Sequence, residues 1–222
     1  MHIMDGALSQ EVIIIGSACA VAGLGWGLYK LGTDQHGLEK IPAAAVLSAT
    51  FFVASLIHVP IGVSSVHLIM NGLAGLVLGA VAFPALFVGL LLQAVFFGFG
   101  GVTVLGINLM NIALPAVLVG MAFRPLILKA SPKKAAFLGG VAGALAIALT
   151  TLCVALCLLL SGEAFFVAAQ LVFVSHIPVM VIEGLVSAAA LYLICKVKPE
   201  LLQTVSHGKT VQTPLNNLGL KS

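Results

Sequence analysis

Between residues 66 and 106 the chain carries no Asp, Glu, Lys or Arg, and that run limits what it can fold into more than any other feature. A soluble domain draws about a quarter of its residues from the charged types. Here they make up 8% of 222 residues, against 61% hydrophobic, with a mean hydropathy of +1.20. Such a chain needs lipid around it, and it reads as an all-α integral membrane protein. No polar stretch is long enough for a soluble catalytic domain, and no GxxxxGK[ST] loop is present to bind a nucleotide.

A helix needs about 20 apolar residues to cross the hydrocarbon. On that basis seven spans are expected, near 11–30, 41–59, 66–82, 84–105, 108–128, 135–161 and 164–195. Inside the uncharged run the break is placed at Pro84, with Gly98, Gly100 and Gly101 loosening the end of the following helix. The basic residues cluster at Lys30 and Lys40, at Arg124 to Lys134, at Lys196 and Lys198, and in the tail at Lys209 and Lys221. With seven spans, an outside N-terminus and a cytoplasmic C-terminus put every one of them on the cytoplasmic side. The expectation is therefore a multi-pass protein of a prokaryotic cell membrane. Residues 1–195 form a single transmembrane domain, and 196–222 form a flexible cytoplasmic tail. The net charge of +3 is then a topology signal, and nucleic acid is not an expected partner. No basic stretch precedes an apolar run at the start, so no signal peptide is read there.

Cys19, Cys153, Cys157 and Cys195 lie in or beside apolar runs and read as small packing residues, not as a disulfide framework or a metal site. Gly72, Gly75 and Gly79 recur along one helix face, as residues do where helices approach closely in lipid.

Ionisable groups inside a membrane are expensive and by default mark a site. His36 and His207 fall in polar segments and read as solvated. His58 precedes Pro60 at a span end, where capping or headgroup contact accounts for it. His176 and Glu183 flank Pro178, and a structural pairing is the favoured account of both. His67 differs, because "VPIGVSSVHLIMNG" surrounds it with Pro60, Gly62, Ser64, Ser65 and Asn71. Irregular polar backbone at membrane depth belongs beside a cavity.

The first two residues, Met1 and His2, offer a specific chemistry. A free α-amine, the following amide nitrogen and the imidazole of residue two close a five-membered and then a six-membered chelate ring around one ion. A fourth nitrogen, for which His67 is the candidate, completes a planar set suited to Ni(II) or Cu(II). Spacing alone favours the plainer account, a disordered polar start.

The match of two long blocks changes the balance. "MHIMDGALS" and "GVSSVHLIMNGLAGLVLGAVAFPALFVGLLLQAVFFGFGGVTVLGINLMNIALPAVL" closely resemble the substrate-binding component of energy-coupling-factor nickel/cobalt transporters, the CbiM/NikM family. The resemblance covers residues 1 to about 195. It implies a seven-helix bundle with an extra N-terminal helix, and a divalent ion bound by Met1, His2 and His67. Ser64, Ser65, Asn71, Gln93, Asn108 and Asn111 are polar positions in the matching blocks that would hold the imidazoles or the N-terminal segment. The implied cargo is Ni(II), with Co(II) for cobalamin synthesis as the alternative, and no organic cofactor. The implied partners are a transmembrane coupling subunit, cytoplasmic ATPase subunits and a small accessory membrane subunit. Asp5 stands where the family more often has Glu. Two rivals of other classes are an intramembrane metal-dependent hydrolase using His176 and Glu183, and a passive channel. The first lacks HExxH and GxSxG, and the second lacks polar rings spread along an axis.

Overall fold

The computed structural model describes residues 3–34, 37–56, 58–61 and 64–203, with the backbone alone at 58–61, 64, 65, 163 and 203. The elements are α1 (Gln10–Thr33), α2 (Ile41–Ala54), β1 (His58–Ile61), β2 (Ser64–His67), α3 (Asn71–Leu78), α4 (Ala82–Phe97), α5 (Leu105–Ile127), α6 (Pro132–Leu160), α7 (Phe166–Ser175), α8 (Ile177–Val197) and α9 (Glu200–Gln203). The chain is a multi-helix membrane protein. By length and composition alone, five helical stretches among the described residues are long and apolar enough to cross a membrane: Gln10–Thr33, Asn71–Phe97, Leu105–Ile127, Pro132–Leu160 and Phe166–Val197, the second of which folds back at Gly79.

Two of the expected spans are built differently. The stretch 41–59 is helical only to Ala54, and 66–82 is not one helix. Residues 58–61 and 64–67 pair as two antiparallel strands with His58 opposite His67 and Ile61 opposite Ser64. The short helix α3 follows, entirely buried. Non-helical backbone is tolerated at such depth where protein covers it, and α7 packs against both strands.

The break in the uncharged run comes at Gly79, not at Pro84. Gly79 has φ 59°, a left-handed conformation that a side chain resists, whereas Pro84 sits in the first turn of α4, where its missing N–H costs nothing. The chain reverses there. Asn71 bonds the carbonyl of Ile112, and Gly75 lies against Ala116 and Gly120, so α3 runs parallel to α5. Gly23 and Gly27 of α1 face Phe83 and Pro84, while Asp5 N donates to Gly100 O at 2.8 Å, so α4 runs back antiparallel to α1.

Small residues set the helix contacts, as packing in lipid requires. Any side chain at Gly75 would collide with the α5 backbone at Ala116, and one at Gly72 would collide with Gly143 of α6. Helices α6 and α8 form an extensive antiparallel pair, with Gly139 on Leu191, Gly140 on Gly184 and Gly143 on Ser187. At the end of the bundle opposite Ile3, Lys40 meets Asp34 at 2.9 Å, and the buried Arg124 donates to the carbonyl of Leu202. After Val197 the described residues include a helical turn, α9, held by that bond to Leu202.

Candidate metal-capture site

Residues 3–9 lie at the end of the bundle where α5 begins and α6 finishes. Ile3 is fully buried, and its N–H donates to Asn108 Oδ1 at 3.0 Å while its carbonyl accepts from Asn108 Nδ2 at 3.1 Å. Asp5 is held by its backbone bond to Gly100 and by the Thr103 hydroxyl, which donates to its carboxylate. Ser9 N donates to Ser161 Oγ at 3.1 Å, and the Ser9 hydroxyl caps α1 by accepting from Val12 N. The chain immediately after Met1 and His2 is therefore fixed to α5, α6 and the loop after α4.

His67 closes β2 and is 3% exposed. Its Nδ1 lies 2.8 Å from the carbonyl of Leu68. A carbonyl oxygen only accepts, so Nδ1 carries the proton and Nε2 carries the lone pair, the tautomer suited to a metal ligand. In that tautomer it is an uncharged nitrogen donor.

Glu183 fixes the chain that follows. Its Oε1 accepts from Ile69 N at 2.5 Å and from Met70 N at 2.8 Å. Met70 has φ 58°, a left-handed conformation uncommon for a residue with a side chain, and the carboxylate offsets that cost at the start of α3. Asn71 then donates through Nδ2 to Ile112 O at 3.0 Å and to Thr150 Oγ1 at 2.9 Å.

The two segments share one support. Asn108 and Ile112 are one turn apart on α5, about 6 Å. The first carries Ile3 and the second carries Asn71. This brings the residue after His2 and the helix start after His67 onto successive turns of the same helix.

The other polar positions read from sequence have separate partners. Asn111 accepts from the Cys157 thiol at 3.5 Å, and Gln93 donates to Ser55 Oγ at 2.6 Å, joining α4 to α2. Asn108 is the one of them that touches the N-terminal segment among the described residues. Ser64 and Ser65 stand in β2, with backbone alone described. Met1, His2, His36 and His207 lie outside the described residues. Among the described residues no group of three or more His, Cys, Asp or Glu side chains is assembled to hold a metal. His58, assigned from sequence to a span end, stands instead in β1 opposite His67. Two short runs rich in Val and Ile on either side of Gly62 were the available signal for a hairpin.

A family profile described as CbiM, cobalt uptake substrate-specific transmembrane region, matches residues 2–201. The chain belongs to the CbiM family. A protein of Haemophilus influenzae described as a metal transport protein is 39% identical over 204 residues, covering 91% of this chain and 97% of that one. The cobalt transport protein CbiM of Sorangium cellulosum is 29% identical over 214 residues, covering 91% and 94%. The fused nickel transport protein NikMN of Rhodobacter capsulatus is 37% identical over 124 residues, 55% of this chain and 35% of that one. A crystal structure of a transition metal transporter superposes with a TM-score of 0.68 at 28% identity, covering 88% of this chain and 91% of the other. As a CbiM-family member the chain is a membrane transport subunit and not an enzyme. Glu183 holds the backbone N–H groups of Ile69 and Met70 through Oε1.

Proposed function

We propose that this chain captures nickel, or alternatively cobalt, for ATP-driven uptake, at a planar four-nitrogen site. The donors are the α-amine of Met1, the amide nitrogen and imidazole of His2, and Nε2 of His67. The observation that carries this reading is the shared support on α5. Asn108 holds Ile3 and Ile112 holds Asn71, so the segments bearing the proposed donors are anchored one helical turn apart.

Chemistry supports the rest. Binding through a peptide nitrogen requires loss of its proton, which gives a strong donor and favours planar Ni(II). Mg and Ca, which take six or more oxygens, are rejected. Copper is not, since it stands above nickel in intrinsic affinity. The nickel and cobalt transport named for the relatives agrees with this cargo.

The proposed orientation has the N-terminal end outside and the C-terminus in the cytoplasm, with seven passes in a single domain over 1–195. Lys30, Lys40, Arg124, Lys133, Lys134 and Lys196 all stand at helix ends opposite Ile3, the arrangement expected of a cytoplasmic face. Energy would come from cytoplasmic ATPase subunits through a transmembrane coupling subunit, with a small accessory membrane subunit as a further partner. The sequence itself carries no nucleotide loop.

The test is Ni(II) binding by the purified chain, tagged only at the C-terminus, against a version with one residue inserted between Met1 and His2. The insertion keeps every side chain and changes the chelate ring. Loss of tight binding with folding intact is expected, and unchanged binding would remove Met1 from the site.

A further inference from the structure

At the end of the bundle opposite Ile3, Arg124 is a cation without a counter-ion. It stands in the last turn of α5 and is 7% exposed. Its Nη2 donates to the carbonyl of Leu202 in α9. Its Nε and Nη1 are buried with no hydrogen-bond partner among the described residues. A guanidinium carries five N–H donors in a fixed fork, and here one neutral carbonyl answers them. A buried charge is expensive unless an opposite charge and further hydrogen bonds compensate it. Asp34 does not serve, because it is bonded to Lys40 at 2.9 Å.

The cover over this group is slight. Helix α9 is a single turn, closed by Leu201 N to Lys198 O and Leu202 N to Pro199 O, each at 3.1 Å. It packs on α3 and α8. Beside it lies a cavity of about 160 Å³, lined by Glu39, Ala43, Val77 and Leu78 and, from α9, by Glu200 and Leu201. Leu202 carries the bond to Arg124 while the two residues before it line the opening, so a shift of this one turn connects the opening to the guanidinium. The fork of N–H groups matches a carboxylate or a phosphate through two parallel bonds. The lining favours a carboxylate delivered by a protein. Glu39 and Glu200 oppose a layer of anionic headgroups, whereas a folded partner can carry a single acid past them.

We propose that Arg124 anchors an acidic side chain of the transmembrane coupling subunit, which takes the place of the Leu202 carbonyl when α9 lifts. This rests on the uptake reading given above, which supplies that subunit and makes this end cytoplasmic. The pairing gives the buried cation its counter-charge. It also ties the partner to α5, the helix that holds Ile3 through Asn108, roughly 24 Å further along.

The experiment co-expresses the full chain with the coupling and ATPase subunits of its own transporter and places a photo-crosslinking amino acid at Ala43, which lines the opening. Light should join it to the coupling subunit. Arg124→Gln should lower that yield about 10-fold or more, as losing one partner of a buried charge pair does. Leu202→Lys, which sets a like charge beside the guanidinium and drives α9 off, should keep or raise it. Ni(II) binding by the isolated chain should be the same in both variants as in the unaltered chain. A yield that ignores Arg124→Gln, an equal fall with Leu202→Lys, or an adduct with lipid alone would overturn the anchor. Thermal unfolding reports the fold, and where Gln is not tolerated Arg124→Lys replaces it. An ammonium lacks the fork, so the yield should still fall, and full yield would overturn the pairing. If the coupling subunit does not co-purify with the unaltered chain, the uptake reading fails and the anchor falls with it. Co-purification with no dependence on Arg124 sinks the anchor alone.

Discussion

Asn108 holds Ile3 by both of its backbone groups, accepting from the N–H at 3.0 Å and donating to the carbonyl at 3.1 Å. One side-chain amide thereby does for the N-terminal segment what a strand partner would do, and it does so two residues from the chain's first atom. In Asn108→Ala a buried N–H and carbonyl lose their partners, at a cost of about 1–3 kcal/mol. The bundle should still fold, since α5 keeps its other contacts, but Ni(II) affinity should fall by about 10–100-fold. Isothermal titration against a Thr50→Val control, which loses only a bond to Val46 O within α2, checks this. Equal loss in both would show a general packing defect instead.

Glu183 should tolerate Gln and not Ala. Gln retains an oxygen able to accept from Ile69 and Met70, whereas Ala leaves two buried amides unpaired beside a left-handed Met70. Expected is near-native nickel binding for Glu183→Gln and a loss of about 10-fold or more for Glu183→Ala, read by titration together with thermal unfolding. Failure of the Gln variant alone would mean that the negative charge, and not the two hydrogen bonds, is what matters.

Gly75→Leu should disrupt the α3–α5 contact. A Cβ there already collides with the Ala116 backbone, and Gly120 faces Gly75 across the same crossing. The helices would have to separate, costing about 1–3 kcal/mol or more and moving Asn71 away from Ile112. Thermal unfolding in detergent should fall clearly, whereas the same change at Gly25, which faces open space, should leave it unchanged.

Proton release offers a check on the donor set. A terminal amine titrates near 7.7–8.0 and a His near 6.5, while a peptide nitrogen holds its proton throughout. His67, whose Nδ1–H is held by the Leu68 carbonyl, binds as a neutral imidazole and adds nothing to the count. Nickel binding at pH 7 should therefore release about two protons, mostly from the Met1 amine and the His2 amide, and apparent affinity should fall about 100-fold per pH unit lost. Titration in buffers of different ionisation enthalpy measures the count. A value near zero would exclude the deprotonated amide.

The sequence by itself determined the class of solvent, the approximate extent of the long apolar segments and the family, because hydropathy is a sum over neighbours and a motif such as "SVHLIMNG" is read in place. The match of the opening block also marked the N-terminal residues. What sequence could not determine was where segments remote in the chain meet. His58 and Glu183 each had an adequate local explanation, yet tertiary structure places His58 opposite His67 and ties Glu183 to Ile69 and Met70, across 114 and 113 residues. The reversal at Gly79 was equally hidden, because an uncharged run gives no periodic signal at a turn, and only the packing of α3 on α5 and of α4 on α1 shows its direction. Asn108 was one of six equivalent polar positions in the sequence. Its distinction is a single pair of hydrogen bonds across 105 residues, which exist only once the bundle has brought Ile3 to the start of α5.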